Sequence, residues 1–321
     1  MDEFWNEYPI VKNDLEEVIK IMNKNIKCKE KLVENTILEL INSGGKLLRP
    51  AFLIIAARFG VFKEEEIYHL AAVLEMLHMA TLVHDDIVDD SKLRRGTETI
   101  QAKYGKDYAV YIGDFLFCRC FKILSEHSTL KNIKVDSNVM SRICMGEIEQ
   151  FSSKYNKRVS VRKYLKRISA KTAELFALSF YSGAMASKCD DKLRRKLSNI
   201  GHNIGMAFQI IDDILDYTGD EMIVGKSIGI DIKQGIYTLP LIYALEKKNI
   251  DLSTILDKDS YDENDLRDIA DIVKEFRGIE KSKVLAERYT NRAFNLINTL
   301  PDSENKNILL KTTEKLLVRF Y

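Results

Sequence analysis

Leu70-Ala71-Ala72-Val73-Leu74-Glu75-Met76-Leu77-His78-Met79-Ala80-Thr81-Leu82-Val83-His84-Asp85-Asp86-Ile87-Val88-Asp89-Asp90 is the stretch that decides the architecture. From Leu70 to Val83 it is apolar nearly all round, and such a helix belongs in the middle of a bundle. Glu75 and His78 interrupt it, and it runs straight into aspartates, which does not read as a membrane span. Ile204 to Leu215 repeats the pattern, ending in Gln209-Ile210-Ile211-Asp212-Asp213-Ile214-Leu215-Asp216, with Asp220 one turn on.

Outward from these two segments the chain stays helical. Asp14–Ile26, Val161–Ala186 and Lys281–Leu300 have amphipathic patterns suited to outer helices. Only 15 glycines and 4 prolines occur, and the turn clusters that punctuate β folds are scarce. Pro50 follows the loop Ser43-Gly44-Gly45, and Pro240 and Pro301 each follow a Thr-Leu pair, all near expected helix starts. No linker, charge block or tandem repeat divides the chain. The expectation is an all-α, single-domain helical bundle over 1–321, with central helices surrounded by outer ones.

Composition sets limits on function. Across 321 residues the net charge is +1, so a whole-chain basic field for nucleic acid is absent. Five cysteines include no CxxC pair, and Cys118 and Cys120 are too close for a zinc knuckle. Reduced, packed thiols fit a cytoplasmic protein. Residues 1 to 9 carry three acids and no basic cluster before an apolar run, unlike a signal peptide.

Each acidic cluster contains D-D-x-x-D. On a helix its first and last carboxylates share a face four residues apart, where like charges repel and burial adds to the cost. Divalent cations between the helices resolve that conflict. An all-oxygen ligand set favours a hard ion, magnesium first, which keeps waters and takes a substrate phosphate as co-ligand. Two solvated acidic helix ends are the bland alternative, weakened by the motif occurring twice, each time at the end of an apolar helix. A helical HD-type phosphohydrolase built on His84-Asp85 would need further ligands from His69, His78, His127 and His202, and leaves the second cluster unexplained.

A magnesium-bound diphosphate also needs cations. Lys46 and Arg49 flank the glycine pair Gly44-Gly45, Arg94 and Arg95 follow the first cluster, Lys171-Thr172 lies in a helical pattern, and Lys226 and Lys233 follow the second cluster. Arginine clamps phosphate bidentately, while lysine acts as a mobile point charge. Singly each reads as a surface charge; together with two metal motifs they form a coherent phosphate site.

The motifs GGKLLRP, EMLHMATLVHDDIVD, RRG, GDFLF, KTAELF, GMAFQIIDDILDY and GKSIGIDIKQGIYTLPL stand in this order between Gly44 and Leu241. In this the chain resembles the trans-prenyltransferases, the polyprenyl diphosphate synthase family, in its medium- and long-chain members such as hexaprenyl, heptaprenyl or octaprenyl synthases. The resemblance implies the isoprenoid synthase type of helical bundle. It implies an isopentenyl diphosphate site at Lys46, Arg49 and His78, with Arg95 assisting. It implies magnesium ligands at Asp85, Asp89 and Asp212, with Asp86 and Asp216 completing the metal set and Asp213 as a supporting carboxylate. Arg94, Lys171, Thr172, Gln209 and Lys226 resemble an allylic diphosphate site, and Lys233 a last cation, while Ile236 stands where some relatives carry another basic residue. Asp85, Asp89, Asp212, Lys171 and Lys226 would carry catalysis, with several Mg2+ ions per site.

The implied reaction joins isopentenyl diphosphate to an allylic prenyl diphosphate. Small Ala80 and Thr81 upstream of Asp85, where short-chain relatives place a bulky aromatic, point to products beyond fifteen carbons. A short-chain (geranyl, farnesyl or geranylgeranyl) synthase and a catalytically silent subunit of a heteromeric synthase are the alternatives. The resemblance, with apolar Tyr108 to Leu124, also implies a homodimer or a pairing with a related or small subunit. Neither nucleic acid nor a membrane span is expected, although the apolar product would be delivered to membrane.

Overall fold

The computed structural model describes residues 3–94, 96–218 and 229–317. Apart from a two-residue antiparallel pair (Leu93↔Glu98, Arg94↔Thr97), its regular elements are helices, as the sequence predicted. Two compact units emerge: Met1–Ser137 with Leu178–Ser198 and Ser303–Leu309, and Asn138–Ala177 with Asn199–Asp302 and Leu310–Tyr321.

The first unit is built around the long segment read above. After α1 (Pro9–Asn25), α2 (Lys31–Asn42) and α3 (Leu48–Ala57) comes α4 (Glu64–Val88), which packs against α1, α3 and α6 (Lys106–His127). Glu64, Glu65 and Glu66 occupy its first turn, where acids complement the helix dipole. Ile67, Ala71, Met76 and Ala80 have no exposed surface, so α4 is a core helix. Its length and mean hydropathy would suffice to cross a membrane, but most of the apolar window is buried within the protein. Asp14 ties three helices together, accepting from Arg58 (2.5 Å) and from the Tyr68 hydroxyl (2.6 Å). The N-terminal turn is anchored by buried Trp5, whose indole N–H donates to the Lys46 carbonyl.

Past α4 the chain forms the short β1–β2 pair (Leu93–Arg94, Thr97–Glu98), then α5 (Ile100–Tyr104) and α6. Thr99 caps α5 by accepting from the Ala102 N–H and donates to the Ser91 carbonyl, which also accepts from Gln101. The turn behind the first acidic motif is thereby pinned on both sides.

The second unit holds the end of α7 (Leu130–Ser152), α8 (Val161–Ile168), a π-helical turn (Ser169–Ala173), the start of α9 (Glu174–Ala186) and most of α10 (Asp191–Thr218). α11 (Ile230–Lys233), α12 (Leu239–Leu245), α13 (Ile250–Ile255), α14 (Glu263–Glu275), α15 (Gly278–Asn298) and the end of α16 (Glu304–Leu317) complete it. Its core gathers Tyr164, Ile210, Ile214, Tyr237 and Leu241 with apolar side chains of α14 and α15. Val161–Ala186, expected as a uniform helix, instead carries the π turn. Gly205 of α10 explains the local packing: a Cβ there would sit 2.6 Å from the Ala173 Cα.

Candidate active site

α4 ends against its own electrostatics. Cations are favoured at a helix C-terminus, yet no basic residue lies in the last turn, and Asp85, Asp86 and Asp89 do. Asp89 leaves the helical region (φ −90°, ψ 0°) and Asp90 is left-handed (φ 49°), a conformation that aspartate tolerates better than most residues. Asp86 and Asp90 pair with nearby cations. Asp86 is buried and its oxygens accept from Arg94, Nε at 2.9 and 3.1 Å and Nη2 at 2.7 Å. Exposed Asp90 pairs with Lys106 at 3.0 Å and Lys92 at 3.4 Å, and Lys106 above all holds its carboxyl below the ordinary range. Asp85 and Asp89, four residues apart and both partly exposed, form the remaining pair.

The same unit brings Arg49 to His78. The Arg49 guanidinium lies 2.9 Å from His78 Nε2. Gly44 (φ 84°), Gly45 (φ 151°) and Leu47 (φ 46°) turn the chain into α3, whose first turn carries Arg49. Lys46 stands just before that helix start, its ammonium 5.7 Å from the Phe4 ring centroid. A helix N-terminus flanked by lysine and arginine suits an anion. Arg95 lies outside the described residues.

In the second unit one chain of hydrogen bonds links three of the expected residues. Thr172 Oγ1 donates to Gln209 Oε1 (2.7 Å), Gln209 Nε2 donates to Asp213 Oδ1 (2.8 Å), and the Tyr164 hydroxyl donates to Asp213 Oδ2 (2.6 Å). Burial pushes the Asp213 carboxyl up to about 8, helped by the charges of Asp231 and Asp212 and opposed by its two hydrogen-bond donors. Both central aspartates of the motifs are therefore inward-facing and hydrogen-bonded. Asp212 is exposed and Asp216 half-buried on the same helix.

Lys171 and Thr172 sit in the π turn, a geometry frequent at functional sites. Lys171 Nζ lies 2.9 Å from Glu147 Oε2. Lys233 is exposed at the end of α11, and its carbonyl accepts from the Tyr155 hydroxyl at 3.2 Å. Ile236 is buried. Lys226 and Asp220 lie outside the described residues. Sequence reasoning missed Tyr164, Glu147 and Arg167, the last a buried cation donating to the Tyr237 carbonyl (2.7 Å). For Tyr164 and Arg167 the one sequence signal was the amphipathic pattern that contains α8, which does not say which polar side chain turns inward; Glu147 lies on α7, outside any pattern read in the sequence.

His84 does not act as a metal ligand on this geometry. Its Nε2 faces the Val110 carbonyl (3.3 Å) and Asp114 (3.4 Å), and a Cβ on Gly113 would collide with the ring. His69 and His127 stack on each other at 3.7 Å. Among the described residues no group of three His, Cys, Asp or Glu side chains is placed to hold a metal ion alone. The HD-type arrangement therefore has no support, whereas carboxylate pairs that leave positions for water and phosphate fit a hard cation such as magnesium.

Comparison with known proteins decides the family. A model described as Polyprenyl synthetase matches residues 30–273. The chain belongs to the polyprenyl synthetase family. This polyprenyl synthetase is 37% identical to heptaprenyl diphosphate synthase component 2 of Geobacillus stearothermophilus, over 94% of each chain. Its structure is similar to that of a geranylgeranyl pyrophosphate synthase from Lactobacillus brevis, with a TM-score of 0.93 and 36% identity over 98% and 99% of the two chains. It is also similar to a polyprenyl synthase from Caulobacter crescentus complexed with calcium and isoprenyl diphosphate, with a TM-score of 0.91 and 30% identity over 97% and 96%. The polyprenyl synthetase thus has the all-α isoprenoid synthase fold and is a prenyltransferase.

Proposed function

We propose that this chain is a magnesium-dependent trans-polyprenyl diphosphate synthase that extends an allylic prenyl diphosphate with isopentenyl diphosphate to a medium- or long-chain product. The observation that carries the reading is the pair of acid-terminated segments, Asp85/Asp89 and Asp212/Asp216, within a family-wide match. Names of relatives such as heptaprenyl and octaprenyl diphosphate synthase support the chain-length class.

In this reading Asp85, Asp89, Asp212 and Asp216 would hold the magnesium ions, while Asp86 and Asp213 position their neighbours through Arg94 and through Tyr164 and Gln209. Bound magnesium would supply charge neutralisation for the departing diphosphate. Lys171, Lys226 and Arg94 add positive charge where the allylic C–O bond breaks and its electron pair leaves with the diphosphate. Lys46, Arg49, His78 and Arg95 orient isopentenyl diphosphate, whose double bond attacks the allylic carbon. Loss of a proton restores the alkene, and the departing diphosphate is the acceptor. Apolar walls keep water from the cation.

The rest of the reading concerns organisation. One domain over 1–321 is part of the reading, supported by a family match that runs across most of the chain. α6 exposes Tyr111 (71%) and Phe121 (61%), which favours a partner, either a second copy or a distinct subunit as the name component 2 implies for the relative. A cytoplasmic location is part of the same reading.

The decisive test is incubation with farnesyl diphosphate, isopentenyl diphosphate and magnesium, followed by product chromatography. Elongated products that vanish with chelator and return with magnesium are expected. A chain that elongates only with an added partner subunit still fits; one that merely activates a separate active synthase would be the silent-subunit alternative.

A further inference from the structure

Tyr155 stands in the loop Ser153-Lys154-Tyr155-Asn156-Lys157 between α7 and α8, with a left-handed backbone (φ 59°). That region suits glycine or asparagine, and a bulky aromatic in it is strained. Such strain persists only where the surroundings fix it. Burial does not, since Tyr155 is 57% exposed. Its partner is the turn Lys233-Gln234-Gly235 at the end of α11. The Tyr155 N–H donates to the Gly235 carbonyl (2.8 Å), and its hydroxyl donates to the Lys233 carbonyl (3.2 Å). The ring covers Gly235, where a Cβ would sit 2.7 Å from three ring carbons. Gly235 is itself left-handed (φ 73°), so backbone and ring both require glycine there.

Both sides of this contact are held. Lys157, two residues on, donates to the Ser253 carbonyl (3.3 Å) and hydroxyl (3.2 Å) and to Asp257 (2.7 Å), tying the loop to α13 and the residues just past it. On the other side, the Gly235 N–H donates to the Ile232 carbonyl (2.9 Å) and the Ile236 N–H to the Asp231 carbonyl (2.8 Å). Ile232 and Ile236 are buried, and Arg167 holds the Tyr237 carbonyl. Within the turn Gly235 is buried, Gln234 half-buried and Lys233 exposed. The segment is thus anchored below by isoleucines and above by one tyrosine, with a lysine as its outward side chain.

From this geometry we infer that Tyr155 is a positioning residue: it fixes the turn that presents Lys233 to the allylic diphosphate. The inference rests on the prenyl-elongation reading above and names what holds one cation of that site in place. A lysine is a point charge on a flexible stem, so its use depends on where its backbone sits. Tyr155 touches the turn at the Lys233 carbonyl and at Gly235, either side of Gln234. Without the ring and hydroxyl, the turn keeps its isoleucine anchors and loses its cover. The lysine then spends less time where a diphosphate meets it, and the allylic substrate binds more weakly.

The test is a double-mutant cycle on the full-length chain, with KM and kcat measured for farnesyl diphosphate and isopentenyl diphosphate in the presence of magnesium. Tyr155→Gly removes ring and hydroxyl but keeps the backbone N–H and tolerates the left-handed backbone. It is expected to raise KM for farnesyl diphosphate at least about threefold, within the range of coupled neighbours, with kcat changed less than KM. KM for isopentenyl diphosphate should stay at the wild-type value. Tyr155→Phe, which loses the hydroxyl alone, should lie between the two and serves if Tyr155→Gly does not fold. Lys233→Gln should raise the same KM, and adding Tyr155→Gly to it should change nothing further. Three results overturn the inference alone while wild type elongates: wild-type KM in both Tyr155 variants, wild-type KM in Lys233→Gln, or a Tyr155→Gly effect of equal size with and without Lys233. The last would assign the tyrosine to stability only. Absence of any elongation by wild type overturns the parent reading and the inference with it.

Discussion

The Tyr164 hydroxyl donates a 2.6 Å hydrogen bond to Asp213 Oδ2, joining α8 to the middle of the second acidic motif. Gln209 holds the other oxygen at 2.8 Å and is itself fixed by Thr172. Tyr164→Phe removes a donor from a buried carboxyl without changing its shape. We expect a stability loss of about 1–3 kcal/mol in urea unfolding. Turnover should fall as well, because Asp212 loses the neighbour that orients its helix turn. Unchanged stability and unchanged turnover together would show that the bond positions nothing.

Asp85 and Asp212 carry the metal reading. Asp85→Ala and Asp212→Ala are each expected to reduce turnover by at least about a hundredfold, as lost stabilisation of developing charge commonly does. Both positions are partly or fully exposed, so the fold should survive, and melting temperature is the control. Near-normal rates in both variants would remove the carboxylate–magnesium–diphosphate model.

Arg94 is predicted to act on the fold as well as on substrate. Its guanidinium covers both oxygens of Asp86, whose side chain is only 9% exposed. Arg94→Ala strands a buried carboxylate and should cost about 1.5–3 kcal/mol, the range for hydrogen bonds to charged groups. Arg94→Lys keeps the charge but not the fork, so an intermediate loss is expected. Chemical denaturation measures both, and equal stability of all three proteins would contradict the role.

Thr81 and Ala80, read together in the sequence as a small wall, separate in the structure. Thr81 lies one turn before Asp85, half-buried, with its hydroxyl donating to the His78 carbonyl, whereas Ala80 has no exposed surface. Thr81→Phe is expected to shorten the product while the first condensation proceeds at a similar rate. Ala80→Phe should instead overpack the core and cost about 1–3 kcal/mol. Product chromatography beside thermal melts separates the two, and an unshortened product from Thr81→Phe would mean the tail does not follow this face of α4.

The sequence by itself determined the all-α class, the two core helices and the acidic motifs at their ends, because helical periodicity and the cost of clustered carboxylates are local properties. Which aspartate does what was not legible there. In D-D-x-x-D the four-residue spacing puts the outer pair on one face, but only packing shows that Asp86 turns to Arg94 and Asp213 to Tyr164 and Gln209. Tyr164 is 49 residues from Asp213, and nothing in either local pattern predicts their contact. Asp136 and Ser182, 46 residues apart, meet in the same way, as α7 and α9 come together beside Leu70, Val73, Leu74 and Leu77 of α4. Burial and pairing depend on what lies across a helix, and that is a property of the folded chain alone.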